Sequence, residues 1–340
     1  MCIAHTRLYE ALHHKKISFF TGAKIEKFDN KGKKCSVTVD YSNPVIDHAK
    51  CTACNACLEA CPAKCITRYH RGELIQYSID YKKCLLHKGK ECNKCVIACT
   101  ESAITAENAT NRKKISADGV LIATGHETYD AANKPRFGYS RFDNVLSGAE
   151  AEDILSTQAY LTKPGEEVAF IQCVGSRDPL IGRNYCSSVC CAYASRIAGI
   201  LKYRNKDAKV TVYYIDIQNF DKTFSLLRQK MRDAGIEFIR GIPFSVEKNS
   251  NGRLRLKTEG SAETETVAEY DAVVLSVGMG PCADAGSIAE IFGLESDCFG
   301  FFASSSPSVF VTGTCTEPQT ISDSIASARA VALEMGKLGR

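Results

Sequence analysis

Residues 51–62 read Cys-Thr-Ala-Cys-Asn-Ala-Cys-Leu-Glu-Ala-Cys-Pro, a run of four cysteines that ends at a proline. The cysteines are Cys51, Cys54, Cys57 and Cys61, separated by two, two and three residues. This spacing is typical of bacterial two-cluster iron–sulfur domains, in which three thiolates hold one [4Fe–4S] cubane and the fourth reaches the other cluster. Zinc sites use cysteine pairs and do not account for such a run. The sequence therefore predicts iron–sulfur clusters and electron transfer.

A second group of four cysteines follows, with a stretched first gap. It consists of Cys84, Cys92, Cys95 and Cys99. Seven residues separate its first two members, the next two gaps are normal, and no proline follows. Because the last cysteine of each run ligates the other cluster, we expect two crossed sets. One set is Cys51, Cys54, Cys57 and Cys99, and the other is Cys84, Cys92, Cys95 and Cys61. Cys65 lies outside both runs, and we expect it to be a small buried apolar residue.

The composition narrows the class of protein. The chain has 340 residues, of which 18 are cysteine and none tryptophan, and a formal net charge of +4. Disulfide frameworks suit small secreted domains, and residues 1–30 lack the basic and apolar regions of a signal peptide. No apolar stretch reaches the roughly 18 residues of a membrane-spanning helix. The mild charge favours neither nucleic acid nor membrane binding. We therefore expect a reducing, cytoplasmic location.

The remaining sequence predicts an α/β fold. Strands alternate with helices from residue 167, which indicates a parallel, doubly wound sheet. The expected strands are 17–20, 35–39, 119–125, 168–172, 209–217, 236–240, 271–278 and 308–314, with an antiparallel hairpin at 253–270. The expected helices are 147–155, 186–203, 221–234 and 321–336. Ser147 should cap the first of these helices, and Gly235 should stop the third.

A third cysteine group lies where this sheet would bind a nucleotide. It consists of Cys173, Cys186, Cys190 and Cys191. We expect Cys173 just past the end of a strand and the other three on the first turns of the next helix. Doubly wound folds bind phosphate in this crevice, but the G-x-G-x-x-G fingerprint is absent after the strand.

An anionic cluster could use the same helix dipole, with Arg177 and Arg183 helping to neutralise it. Cys186 and Cys190 would share one helix face while Cys191 points elsewhere, so the helix start would have to be distorted. The alternative of two buried thiols and a redox pair stays open.

Five segments carry a resemblance to a known family. They are Cys173-Val-Gly-Ser-Arg-Asp-Pro, Asn184-Tyr-Cys-Ser-Ser-Val-Cys-Cys-Ala-Tyr-Ala, Ile122-Ala-Thr-Gly-His-Glu, Val274-Leu-Ser-Val-Gly-Met and Val311-Thr-Gly-Thr-Cys-Thr-Glu-Pro-Gln-Thr-Ile-Ser-Asp-Ser-Ile. Together with the two cysteine runs, they resemble the A subunit of CoB-CoM heterodisulfide reductase over essentially the whole chain. The resemblance implies a thioredoxin-reductase-like flavoprotein fold with an inserted α+β two-cluster ferredoxin domain. It also implies that a third cubane, held by Cys173, Cys186, Cys190 and Cys191, replaces the pyridine-nucleotide site.

The resemblance implies an oxidoreductase subunit with several partners. In the family, FAD is a bifurcation centre that takes electron pairs from a hydrogenase or formate dehydrogenase module. One electron goes to ferredoxin, and the other goes to a heterodisulfide reduced by the B- and C-type subunits. We expect this chain to be inactive alone. We assign it no catalytic residue, because the sequence shows no nucleophile–His–acid arrangement.

The same resemblance implies a division into domains. The expected segments are 1–50 (end of the first FAD-domain segment), 51–108 (ferredoxin insert with two [4Fe–4S] clusters), 109–165 (FAD-domain crossover), 166–270 (Rossmann-like domain with the third cluster) and 271–340 (return to the FAD domain).

The FAD site implied by the family is incomplete in this sequence. Family members begin with a strand, a G-x-G-x-x-G turn and an acidic residue, none of which is present here. Met1-Cys-Ile corresponds to the point where the family reads Cys-Ser-Met-Cys-Ile, and the first cysteine there is selenocysteine in some members. We therefore expect either the downstream product of a gene with such an in-frame stop codon, or a split gene with a separate N-terminal FAD-binding half.

Two strand-end turns are the remaining candidates for flavin contacts. The first holds Thr124 and Gly125 with His126 beside them, and the second holds Gly313 and Thr314. The wider reductase group has Gly-Asp at the second turn, so Thr314 departs from the pattern. Tight turns with no ligand are the alternative interpretation.

Two further hypotheses for the function stay open. One is a flavin-free iron–sulfur relay module, which flavin retention would distinguish from a flavin-dependent subunit. The other is the related quinone-interacting oxidoreductase subunit of sulfate reducers. The third cysteine group favours the heterodisulfide reductase type over that subunit.

Overall fold

The polypeptide divides into two units, residues 1–119 and residues 120–340. The computed structural model describes residues 3–12, 14–20, 22–30, 32, 34–42, 45–48, 50–71, 74–105, 110–218, 222–259, 265–303 and 307–338. Met1 and Cys2, on which the expectation about the start of the chain depends, lie outside the described residues.

Outside the cysteine-rich region, the described residues of the first unit form one helix and a three-stranded antiparallel sheet. The elements are α1 (Ile3–Leu12), β1 (Lys24–Asn30), β2 (Cys35–Ser42) and β7 (Thr110–Ala117), in the sheet order β1-β2-β7. The strand expected at 17–20 is wrong, because these residues have no regular structure. Phe20 instead packs edge-on against Tyr41, with the ring centroids 5.2 Å apart. The helix α1 was not expected.

The cysteine-rich region between β2 and β7 consists of short elements. They are β3 (Val45–Ile46), α2 (Ala56–Ala60), β4 (Ile66–Arg71), β5 (Leu74–Ile79), α3 (Lys94–Ile97) and β6 (Ile104–Thr105). The strands form two antiparallel pairs, β3 with β6 and β4 with β5. Cysteines and a few apolar side chains, such as Ile46, Ile66 and Ile104, make up the buried cluster of this region. Its interior therefore contains a high proportion of sulfur.

A five-stranded parallel sheet forms the centre of the second unit. Its strands, in spatial order, are β10 (Val145–Ser147), β17 (Ala272–Val277), β11 (Glu167–Val174), β12 (Lys209–Tyr214) and β13 (Ile236–Arg240). The two strands at the start of that order come from outside residues 166–270. The expected alternation of strands and helices from residue 167 is confirmed, and so is the mixed α/β class.

The two faces of this sheet are covered differently. One face packs against α4 (Gly148–Thr157), α5 (Cys190–Arg204) and α6 (Lys222–Asp233). The other face packs against an antiparallel sheet of β14 (Ser245–Lys248), β15 (Leu254–Glu259) and β16 (Glu265–Tyr270). The doubly wound arrangement expected from sequence is therefore wrong, because the antiparallel sheet replaces helices on the second face. In β11, Val168 and Phe170 point to the helices, while Ala169 and Ile171 point to the antiparallel sheet.

Capping residues that are recognisable in the sequence mark the ends of two helices. Ser147 caps α4 and forms a reciprocal capping box with Glu150, as expected. Gly235 follows α6 with a φ of +82°, which suits glycine. The helix expected at 186–203 begins instead at Cys190, because residues 183–189 form a loop.

The remaining elements lie towards the C-terminus of the second unit. They are β8 (Val120–Ile122), β9 (Glu127–Thr128), β18 (Met279–Gly280), α7 (Ala285–Phe292), β19 (Val309–Val311) and α8 (Ile321–Met335). β8 and β19 run parallel and hydrogen-bonded, so the turns that follow them lie side by side. Among the described residues, no helix is long and apolar enough to cross a membrane.

The buried carboxylate of Glu166 provides a test of this fold. It is 0% exposed and accepts hydrogen bonds from the Leu161 and Thr162 backbone N–H groups, both at 2.7 Å, and from the Thr162 hydroxyl at 2.9 Å. Glu166→Gln should lower the free energy of unfolding by roughly 1–3 kcal/mol, because either orientation of the amide brings an NH2 group against a donor.

Denaturant unfolding of both proteins measures this effect. The matched control is Glu152→Gln on the exposed side of α4. The carboxylate of Glu152 forms an ion pair with Arg196, and its loss should change the free energy of unfolding by less than about 0.5 kcal/mol. Equal effects of the two substitutions would contradict the buried hydrogen-bond arrangement.

Candidate iron–sulfur sites

The first site is a cavity in the cysteine-rich region that is lined by cysteines from both runs. The cysteines are Cys51, Cys54, Cys57 and Cys99. The cavity has an empty volume of about 340 Å³, and its other lining residues include Ile46, Tyr77 and Ile104. The Tyr77 hydroxyl donates to the side-chain oxygen of Asn55 at 2.7 Å, which fixes the loop between the second and third cysteines. The lining residues are thus the first expected ligand set.

The second site is a similar cavity with an empty volume of about 350 Å³. Its cysteines are Cys61, Cys84, Cys92 and Cys95, together with Cys65. Cys84, whose spacing departs from the usual run, is buried here, and the residues after it form turns that bring Cys92 to the same cavity. The structure therefore brings together the residues of both crossed sets, including the member with the unusual spacing.

The donor set of both sites suits a cubane. No three His, Cys, Asp or Glu side chains among the described residues converge as ligands of a single metal ion would. Thiolates at the corners of a cubane surround an inorganic core and need not converge in this way. Each site also offers a backbone N–H to the sulfur of an expected ligand: Cys65 donates to Cys61 Sγ at 3.4 Å, and Ala103 donates to Cys99 Sγ at 3.3 Å.

Cys57 in the first cavity and Cys95 in the second are difficult to ionise without a positive partner. Burial, followed by the neighbouring charge of Cys51, raises the pKa of Cys57. Burial, followed by the charges of Cys84 and Cys92, raises the pKa of Cys95 to about 11. Such clustered thiolates are stable only when a metal core offsets their mutual repulsion.

The third cysteine group comes together at the end of β11. Cys173 adopts a φ of +60° where the strand register breaks between Ile171 and Val174. Burial, followed by the charge of Cys191, raises the pKa of Cys173 to about 11, and Cys186 contributes in the same direction. Burial and the charges of Cys173, Cys191 and Cys186 also raise the pKa of Cys190. The charges of Cys173, Cys186 and Cys191 thus all act on the Cys190 thiol.

The positions of these four cysteines differ from the expected helical ones. Cys190 and Cys191 open α5, whereas Cys186 lies in the preceding loop. The expectation that Cys186 and Cys190 share a helix face is therefore wrong. The loop lets Cys186 approach from a direction that a regular first turn could not provide, and Ser188 N–H donates to its Sγ at 3.4 Å.

The arginines near this group have partners of their own. Arg177 forms an ion pair with Asp216. The side-chain hydrogen bond from Asp216 is the main cause that raises the pKa of Arg177, and the charges of Cys173 and Cys186 raise it further. Arg183 lies over the ring of Tyr129, 5.0 Å from the centroid. Arg177 therefore lies close enough to influence the thiols, while its charge is already offset by Asp216.

Sequence reasoning missed Tyr193 beside this group. Its hydroxyl donates to the Val277 carbonyl at 2.9 Å, and the Cys190 thiol donates to the same oxygen at 3.4 Å. The helical spacing of three residues between Cys190 and Tyr193 was the available signal.

The two candidate flavin turns lie side by side. Gly125 has a φ of +79°, and the nearest atom to a Cβ built there is Thr314 Oγ1 at 3.9 Å. Gly313 has a φ of +75°, and among the described residues no heavy atom other than those of its chain neighbours lies within 4 Å of such a Cβ. Thr314 Oγ1 lies 3.0 Å from His126 Nδ1. Both backbones are therefore open to a ligand, and Thr314, which departs from the family pattern, has His126 as its partner.

A scan against protein-family models identifies a 4Fe-4S binding domain at residues 44–67. This match covers the first cysteine run, β3 and the first two residues of β4.

Curated relatives match almost the whole chain. The A subunit of the H(2):CoB-CoM heterodisulfide,ferredoxin reductase of Methanothermobacter marburgensis is 30% identical, covering 98% of this chain and 55% of the relative. The iron-sulfur A subunit of the CoB--CoM heterodisulfide reductase of Methanocaldococcus jannaschii is 27% identical, covering 98% and 55%. The chain thus spans about half the length of these relatives.

Solved structures show weaker similarity. Thioredoxin reductase from T. acidophilum is 16% identical over 66% of this chain and 67% of that chain, with a TM-score of 0.45. Bacillithiol Disulfide Reductase Bdr from Bacillus cereus is 12% identical over 98% and 76%, also with a TM-score of 0.45.

Replacement of the last cysteine of each run by alanine tests the crossed arrangement. In a background with Cys84, Cys92 and Cys95 replaced by alanine, Cys99→Ala should remove about four further irons per chain, because Cys99 completes the remaining cubane. In the same background Cys61→Ala should remove none. Iron analysis with EPR after anaerobic reconstitution measures both variants, and loss of iron with Cys61→Ala but not with Cys99→Ala would refute crossed ligation.

Proposed function

The chain belongs to the heterodisulfide reductase A-subunit family, and we propose that it relays single electrons through three [4Fe–4S] clusters in such a complex. The observation that carries this proposal is the sorting of eight cysteines around two cavities in crossed sets. Each cavity is lined by cysteines from both sequence runs. Ordinary packing of cysteine side chains does not require this arrangement. The proposed ligands are Cys51, Cys54, Cys57 and Cys99 for the first cluster, and Cys61, Cys84, Cys92 and Cys95 for the second.

We propose Cys173, Cys186, Cys190 and Cys191 as ligands of the third cluster. These residues lie at the end of a parallel strand and the start of the following helix, where related folds bind a dinucleotide. A cluster accepts one electron at a time, whereas a nicotinamide accepts a hydride. The proposal therefore makes this part of the chain a single-electron relay.

We also propose that the open turns at Thr124–Gly125 and Gly313–Thr314 form part of an FAD site. Gly125 and Gly313 leave their backbones accessible, and Thr314 is held by His126. When bound, the flavin would convert electron pairs into single electrons. The chain's own residues would supply one wall of the site, and an N-terminal FAD-binding half or upstream polypeptide would supply the rest.

The proposed partners follow from the names of the relatives. The relatives' names combine CoB-CoM heterodisulfide with hydrogen, formate or ferredoxin. We infer corresponding contacts with a hydrogenase or formate dehydrogenase module, with ferredoxin, and with B- and C-type subunits that reduce a disulfide. The expected domain boundaries, with a ferredoxin insert at 51–108 between FAD-domain segments, are part of the same proposal.

A second candidate function is a flavin-free iron–sulfur relay. It is favoured by the presence of all eight crossed-set cysteines in the first unit, whereas both candidate flavin turns lie in the second. The two candidates predict the same clusters and differ only in flavin.

Iron and sulfide analysis tests the number of clusters. Anaerobically reconstituted chain should contain about twelve irons, and Cys191→Ser should reduce the content to about eight while leaving the other two EPR signals unchanged. About eight irons in the parent chain would contradict the third cluster, and fewer than about eight would contradict the function as a whole.

Flavin retention distinguishes the two candidates. The purified chain alone should lack flavin absorbance, and co-expression with the polypeptide encoded immediately upstream should restore it. Thr314→Ala should weaken that restored binding, because it removes the hydroxyl that faces Gly125. Absence of flavin from the co-expressed complex would favour the flavin-free relay.

A further inference from the structure

The cysteine-rich region consists of two structurally equivalent halves. Asp47 N–H donates to the Ala103 carbonyl at 2.7 Å, and Asp80 N–H donates to the Cys65 carbonyl at 2.8 Å. The backbone carbonyl of each aspartate in turn accepts a hydrogen bond from the backbone N–H of the cysteine four residues later. The distances are 3.1 Å for Cys51 and 3.0 Å for Cys84. The two cavities are therefore built by the same local backbone arrangement.

The equivalence extends to the cysteine that crosses between the halves. The residue four positions after Cys61 is Cys65, and the residue four positions after Cys99 is Ala103. Both follow a residue with positive φ, Lys64 at +46° and Ser102 at +51°. Both also donate their backbone N–H to the crossing cysteine's sulfur, at 3.4 Å and 3.3 Å.

The side chains at this equivalent position differ. Cys65 places a thiol in the second cavity, with its Sγ 3.4 Å from Cys61 Sγ. Ala103 places only a methyl group in the first cavity. Both residues are buried, at 4% and 1% exposure, so water does not compete for contacts at either place. At this equivalent position the second site therefore has a side-chain hydrogen-bond donor, and the first site has a methyl group.

The direction of this contact follows from ligation. A cysteine that ligates iron does so as a thiolate and has no proton to donate. Because Cys61 would be a ligand, the proton between the two sulfurs must belong to Cys65. Reduction adds negative charge to a cluster and its ligand sulfurs, so a donor stabilises the reduced state more than the oxidised state.

We propose that the Cys65 thiol raises the reduction potential of the second cluster above that of the first by donating a hydrogen bond to the Cys61 thiolate. This inference rests on the proposed function and assigns Cys65 a positioning role outside the ligand set. The effect changes only which cluster holds an electron: one electron is exchanged, no covalent bond forms or breaks, and Cys65 keeps its proton. An electron that enters the ferredoxin-like region should rest at the second cluster.

The test is an anaerobic redox titration of the full chain followed by EPR. Cys65→Ala makes the second site match the first. At a fixed applied potential it should lower the reduced-to-oxidised ratio of one cluster roughly tenfold, which equals a negative shift of about 59 mV for a one-electron couple. Cys65→Ser keeps a donor and should restore most of the lost potential. Iron content should equal that of the parent chain in both variants.

The reciprocal variant is Ala103→Cys, which should shift the potential of a different cluster in the positive direction. Unchanged potentials in Cys65→Ala with full iron content would overturn the inference. Loss of about four irons in both Cys65 variants would also overturn it, because Cys65 would then be a ligand. A parent chain without clusters would instead overturn the proposed function, so the two failures are distinguishable.

Discussion

The repulsion between buried thiolates is the constraint on which the proposed iron–sulfur sites depend. The described cysteine-rich region places nine cysteines in or around two small cavities, with few large apolar side chains between them. Burial raises the pKa of Cys57, Cys65 and Cys95, and the charges of neighbouring thiolates add to each rise. A cubane supplies the positive core that makes four thiolates in one cavity favourable, and metal binding then contributes to folding. The short strands β3 to β6 are thus held by contacts around the ligands more than by an extended apolar core.

The same constraint explains the backbone at the third group. A regular strand end followed by a regular helix start would leave Cys173, Cys186 and Cys190 pointing in different directions. The positive φ at Cys173 and the loop before α5 bring the thiols together. Backbone conformations of this kind cost free energy and persist where the surrounding structure or a ligand compensates for them. A cluster in this crevice would occupy the space that a dinucleotide occupies in related folds.

Much of the site was predictable because cysteine spacing encodes cluster ligation directly. The crossed sets that include Cys61 and Cys99 followed from the runs, and the structure groups the same residues. Ser147 and Gly235 marked helix ends because capping depends on neighbouring residues only. The position of Cys186 and the antiparallel layer over the parallel sheet depend on tertiary packing, which spacing does not encode. The role proposed for Cys65 needed the structure, since spacing makes Cys65 and Ala103 equivalent but does not show that the Cys65 thiol lies against Cys61 Sγ.

The most direct test of the account is an anomalous difference map, measured at the iron absorption edge, from crystals of the anaerobically reconstituted chain. The account predicts three iron peaks, with Cys99 beside the cluster of the first cysteine run and Cys61 beside the cluster of the second. The third peak should lie among Cys173, Cys186, Cys190 and Cys191. An iron peak held by Cys51, Cys54, Cys57 and Cys61 together, with Cys99 in the other set, would contradict the crossed arrangement on which the proposed function depends.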